Sequence, residues 1–205
     1  MKKFLVLGVL VVMLLSGCGK KAEETKPAEA AGIPGVPADM QAAFTQFGSA
    51  LEKQDFAGAF LSLRSAMENF WRITPLILQN ERFVKSDGNT FGIFEPKETD
   101  EFAANEPMYL YLEPVGFGLK RSAEGKYEFG FNVDFSLESE KEEILGGQKG
   151  FANLPFSSWN FNTEIALTFT YTFSGLQKGR YKIITTVHDA VSDKTATSEK
   201  WFSIS

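Results

Sequence analysis

The chain has 205 residues, with 21 Lys and Arg against 26 Asp and Glu, for a formal charge of −5. An acidic surface has no general attraction for nucleic acid or anionic lipid, which excludes the classes that work by broad polyanion binding. One Cys and one His exclude a disulfide framework and a histidine or thiolate zinc site, whereas 20 Phe supply material for a core.

The first stretch, residues 1–18, begins Met1-Lys2-Lys3, runs through apolar residues from Phe4 to Leu15 and ends Ser16-Gly17-Cys18. A basic start, an apolar run within about 7–15 residues and small residues at its end describe an export signal. The run is short of the roughly 20 apolar residues that cross a bilayer. Cys18 stands where a lipobox cysteine stands, so the stretch resembles a bacterial lipoprotein signal peptide. That resemblance implies acylation at Cys18, palmitate among the acyl groups, and attachment to a membrane through the N-terminal lipid. Without Lys2 and Lys3, 19 basic residues face 26 acidic ones and the processed chain would carry −7. By analogy with lipoprotein sorting, Gly19 in place of an aspartate points to the periplasmic side of the outer membrane, in a cell that has one.

Residues 19–38 are rich in Ala, Glu, Lys, Pro and Gly and almost free of large apolar groups. Such a composition buries too little surface to offset the entropy of ordering and predicts a disordered tether. Residues 39–72 turn helical. Met40, Phe44, Phe47 and Leu51 step by helical intervals, and after Gln54-Asp55 the stripe restarts as Phe56, Phe60, Leu63, Met67 and Phe70. Asp39 and Asp55 are placed as N-caps, and two tightly joined helices are predicted. Leu51 to Ala59 resembles the turn of a tetratricopeptide hairpin, but one unit does not make a repeat array. The apolar stripe is expected against the following domain or a partner.

Residues 73–205 read as strands. Leu76 to Val84, Phe91 to Phe94 and Met108 to Val115 are candidates, and Tyr127 to Glu138 and Glu164 to Phe173 alternate between dry and wet faces. Glu143 to Phe151 is expected as a shorter strand interrupted at Gly146-Gly147. Arg180 to Val187 and Thr195 to Ile204 close the chain. About eight short strands without intervening helices predict a mainly β antiparallel sandwich behind a short α-helical hairpin. Leu176-Gln177-Lys178-Gly179-Arg180-Tyr181 resembles the tyrosine corner of immunoglobulin-like and fibronectin type III domains, with Lys178 where proline is common. The resemblance implies an immunoglobulin-like β-sandwich in which Tyr181 anchors the turn into the penultimate strand. The alternative is a nuclear-transport-factor-2-like curved sheet, ligand-binding or enzymatic, since two helices precede the strands; that fold calls for a third helix.

Reagents for catalysis are few, and neither an enzyme nor a cofactor is expected. His188 falls opposite the apolar face of its strand, no serine lies in a Gly-x-Ser-x-Gly turn, and no Gly-rich phosphate loop follows a strand. Asp189 and Asp193 read as turn formers, and the run Glu138 to Glu143 as a solvated loop. The segment Phe151 to Phe161 crowds aromatics among amides and hydroxyls. Phe156, Trp159, Asn160 and Phe161 either form a platform for an envelope protein or a glycan, or plug one end of the sandwich. Cys18→Ser is expected to abolish fatty-acid labelling of the chain; labelling that persists in the variant contradicts acylation at this cysteine.

Overall fold

A computed structural model describes residues 32–205. Cys18, the export stretch and the tether as far as residue 31 lie outside the described residues. Helix α1 spans Ala38–Glu52 and α2 spans Phe56–Ile73. Asp55 caps α2 as its position predicts, accepting from Gly58 N at 2.9 Å. Asp39 does not cap α1. Pro37 takes that position, its extended ψ of 151° halting the helix, and Asp39 sits two residues later in the first turn with its carboxylate on Met40 N. Between the helices Gln54 adopts φ +57°, and Gln54 N and Asp55 N reach back to Leu51 O and Ala50 O at 2.9 Å each. This is the left-handed helix stop that usually employs glycine, and it turns the chain sharply enough for α2 to run back along α1.

Nine strands follow: β1 Ile77–Val84, β2 Glu101–Phe102, β3 Met108–Val115, β4 Lys120–Arg121, β5 Tyr127–Ser139, β6 Ile144–Ser158, β7 Leu167–Tyr171, β8 Gly179–Asp189 and β9 Thr195–Ile204. They form a three-stranded antiparallel sheet, β1-β3-β7, and a six-stranded sheet ordered β2-β9-β8-β5-β4 with β6 paired along β5. Short β2 joins β9 in parallel; the other strand pairs are antiparallel. The protein is thus mainly β, with two helices ahead of antiparallel sheets.

Alternation along the strands aims large side chains between the sheets. Leu110, Leu112 and Phe169 from the first meet Phe129, Phe131, Val133, Ile183 and Phe202 from the second, all 4 % exposed or less. Aromatic rings dominate. Phe117 lies 5.1 Å from Phe129 and 5.3 Å from Phe131, and Phe83, Phe102 and Phe202 meet edge to face. Tyr171 on β7 bridges the two sheets through a buried 2.8 Å hydrogen bond with Thr185 on β8.

Strand β3 is buried on both faces. The long connection between β1 and β2 folds over its outer side, where Gly92 N donates to Tyr111 Oη and Glu113 Oε1 and Phe94 packs on Tyr111 at 4.3 Å. Burial, and then the Glu113 carboxylate accepting its proton at 2.5 Å, push the Tyr111 hydroxyl up to about 12, so it remains a donor. The predicted strand Phe91 to Phe94 is part of this cover; its backbone supports one bridge, Thr90 to Ile93.

The clearest correction falls on Glu143 to Phe161. The short interrupted strand expected at Glu143 to Phe151 is the 15-residue β6, which continues through Pro155 and Phe156. Its irregularities are absorbed as register shifts opposite Val133/Phe135 and Leu137/Glu138. Pro155 is tolerated because β6 lies at the sheet edge, where a missing N–H breaks no second ladder.

Tyr181 Oη donates to Gln177 O at 2.8 Å, four residues upstream. Tyr171→Phe would strand the fully buried Thr185 hydroxyl and is expected to cost about 1–3 kcal/mol. Tyr181→Phe, whose acceptor Gln177 is exposed, is expected to cost about 0.5–1.5 kcal/mol. Urea unfolding of both variants checks the order; two negligible effects would contradict it.

Candidate functional site

The site is generated by how α2 divides its faces. Ala59 and Ala66, 3 % and 2 % exposed, lie on the side toward α1, where Met40 and Ala43 are also buried; small residues here let the helices approach closely. The C-terminal turn of α2 is bound to the β-sheet part of the fold. Trp71 is buried, its Nε1 donates to Phe117 O at 2.8 Å, and its ring meets Phe117 edge-on at 5.2 Å and Phe161 at 6.2 Å. Lys194, from the β8–β9 turn, donates to Arg72 O at 3.1 Å and Gly116 O at 2.7 Å, satisfying a carbonyl at the helix end. Gly116 is required there: its φ is +79° and a Cβ would collide with the Pro75 carbonyl oxygen.

Between these two attachments the stripe Phe56, Phe60, Leu63, Met67 and Phe70 is left bare. Phe60 is 65 % exposed, Leu63 47 % and Phe70 56 %. From Phe60 to Phe70 it floors a groove of about 830 Å³, walled by Met40 and Phe44 of α1 on one side and by the segment from Asn160 to Glu164 on the other. A groove of that volume is within the range of small-molecule sites, and so large an apolar surface on a folded domain calls for a ligand or partner.

A smaller notch of about 260 Å³ adjoins the groove and shares Arg64, Asn160 and Phe161 with it. Arg121, on β4, stacks over Tyr127 at 4.1 Å and donates to Tyr127 Oη at 2.7 Å and Gly125 O at 2.9 Å. Arg64 pairs with Glu68 at 3.5 Å and reaches Phe161 O, also at 3.5 Å. Lys126 Nζ lies 4.8 Å over the ring of Trp159, which lines the same notch. Two cations, Arg64 and Arg121, thus line the notch with one carboxylate, Glu68, in a chain that is acidic as a whole.

The four aromatic-segment residues named from the sequence do not act together. Trp159 is 68 % exposed beside the notch, and Asn160 is exposed on the ridge between notch and groove. Phe161 is the plug: it is 6 % exposed and packs edge-on against Tyr127 and Trp71. Phe156 belongs elsewhere, half-buried on β6 and stacked on Phe129 at 5.3 Å. Cys18 lies outside the described residues. Sequence reasoning found the α2 stripe but not Arg64 and Arg121, which stand 57 positions apart and carry no spacing signal.

His188 sits on the outward face of the larger sheet. Its Nε2 contacts Asp134 Oδ2, diagonally across on β5, at 3.0 Å and its Nδ1 contacts Thr195 Oγ1, its direct cross-strand partner on β9, at 3.2 Å. The Gly150 N–H and then His188 hold the Asp134 carboxyl below its usual range. Asp189 accepts from Gly118 N, Val191 N and the Ser192 hydroxyl and so ties its turn to the sandwich. Among the described residues, no group of three His, Cys, Asp or Glu side chains is placed to hold a metal.

Trp159→Ala is expected to leave stability within about 0.5 kcal/mol, whereas Phe161→Ala should cost roughly 3–5 kcal/mol by opening a cavity under Trp71. Thermal unfolding checks both, and a large loss at Trp159 would contradict its exposed position. No protein-family model matches this chain, and no curated protein matches it, so its function is argued from the groove and the notch.

Proposed function

We propose that this chain is a lipid-anchored, non-enzymatic binding module of the cell envelope, held to its membrane through Cys18 and a tether over residues 19–38. The export motif supports the anchor, and among the described residues no helix is long and apolar enough to cross a membrane. The observation that carries the binding reading is the bare α2 stripe at the floor of a groove of about 830 Å³. Burying such a stripe yields about 25 cal/mol per Å² of apolar surface removed from water, which is ample to drive association.

For the scaffold we propose an immunoglobulin-like sandwich of the fibronectin type III kind. Three features support it. One sheet runs β1-β3-β7 and the other contains β9-β8-β5-β6, so the chain switches sheets in the order such domains use. The Tyr181 hydroxyl bonds the backbone just upstream of the penultimate strand. Two sheets face each other across one aromatic core, where the nuclear-transport-factor-2-like alternative would cover a single curved sheet with helices.

Ligand binding in the groove is tested with a photo-crosslinking residue placed at Leu63, in the stripe, or at Thr197, exposed on the outer sheet face, in intact cells. Adducts are expected at Leu63 and not at Thr197. Equal labelling, or none at Leu63, would overturn the binding reading.

A further inference from the structure

We propose that the groove and the notch form one site for a single-chain anionic amphiphile, such as a long-chain carboxylate, with its tail along α2 and its head between Arg64 and Arg121. The inference rests on the binding reading above and adds the class of ligand.

The two cavities supply the two halves of such a molecule and are joined through the side chains of Arg64, Asn160 and Phe161. From Phe60 to Phe70 the stripe runs about 15 Å along the helix, the length of an acyl tail. Its floor of Phe, Leu and Met side chains offers contact without directional demands, opposite a polar wall of Asn160, Asn162, Thr163 and Glu164, and methionine adapts to a flexible chain. The groove is concave, whereas a flat bilayer surface is met by protruding side chains.

The charge in the notch, which lies alongside the stripe at Arg64, favours an anion. Arg64 and Arg121 against Glu68 leave the notch positive on a chain whose formal charge is −5, Lys126 adds a cation over the far side at Trp159, and the carboxylate of Glu164 lines the groove rather than the notch. Arg121 is fixed rather than floating, since Tyr127 stacks beneath its guanidinium and Gly125 O and Tyr127 Oη take two of its five donors. The remaining donors can meet a carboxylate as a fork. Trp159 stands over the mouth as an amphipathic lid edge, the role indole plays where an apolar region meets a wet one. The acidic remainder of the surface repels the same anion, so selectivity for this end of the molecule follows from the whole charge distribution.

Calorimetric titration of the full-length Cys18→Ser chain with laurate, palmitate and dodecyltrimethylammonium, each below its micelle threshold, tests the assignment. Laurate is expected to bind one to one and at least tenfold tighter than the cation with the same tail. Palmitate should bind tighter still, since each buried methylene contributes a factor of about four. Arg121→Gln, alone and with Arg64→Gln, should erase the preference for the anion while leaving the melting curve in place. Met67→Glu should weaken laurate and palmitate alike. Equal binding of anion and cation in the parent, or laurate binding untouched by Met67→Glu, would overturn the proposal. A concentration-dependent dimer that Met67→Glu dissolves would also overturn it, by assigning the groove to a second copy. If laurate fails to bind while Leu63 still crosslinks to a protein, the amphiphile is wrong and the binding module stands. If neither occurs, both fall.

Discussion

The arrangement depends on one joint, the indole N–H of Trp71 on the Phe117 carbonyl with the Lys194 ammonium across the Arg72 and Gly116 carbonyls. A buried Trp is kept only where its N–H finds an acceptor, and here the acceptor lies in the connection between two strands of opposite sheets. The ring then fills the space beside Phe117 and Phe161, while Lys194 answers the negative end of the helix. Together these contacts set the angle at which α2 leaves the sandwich. With Trp71 committed to the sheets and the alanine face committed to α1, the stripe between them has no partner surface among the described residues. The groove is therefore a consequence of the joint and not of a separate binding element.

The interior between the two sheets is aromatic and its buried carboxylates are answered, although the buried Ser198 hydroxyl has no hydrogen-bond partner. Phe and Tyr rings bury more area per residue than aliphatic side chains and lock one another edge to face, which offsets the lack of disulfides. Glu113 and Asp189 are buried carboxylates, an expensive feature unless each lone pair is used. Glu113 takes Tyr111, Asn80 and Gly92, and Asp189 takes two amides and a hydroxyl. Each anchors a loop that would otherwise leave the sandwich: Glu113 holds the cover over β3, and Asp189 holds the β8–β9 turn that carries Lys194. The second clasp thus feeds directly into the joint. On the outer face Lys182 lies between Glu138 at 3.0 Å and Glu199 at 3.4 Å, and the hydrogen bond to Glu138 raises its affinity for its proton.

Much of this was legible in the residues themselves. The strands Met108–Val115 and Thr195–Ile204 have the predicted ends, because a short β-forming run bounded by Pro107 and Gly116, or opening after the turn at Asp193, is a local signal. The helical hairpin was legible for the same reason, as was the cap at Asp55. Asp39 misled because Pro37, two residues earlier, stops the helix first, and β6 misled because its glycines and Pro155 read as a loop until β5 supplies a partner ladder.

By itself the sequence determined the mainly β character, the helices and the apolar stripe of α2, since each is written in composition or in periods of two and 3.6 residues. Only the tertiary structure decided that the stripe stays bare, that Phe161 is a plug while Trp159 faces solvent, and that Arg64 and Arg121 meet beside them. Neighbouring residues on one strand or connection can go to opposite environments, and charges on a helix and a distant strand become neighbours only when a joint such as Trp71 on Phe117 sets the angle between their elements.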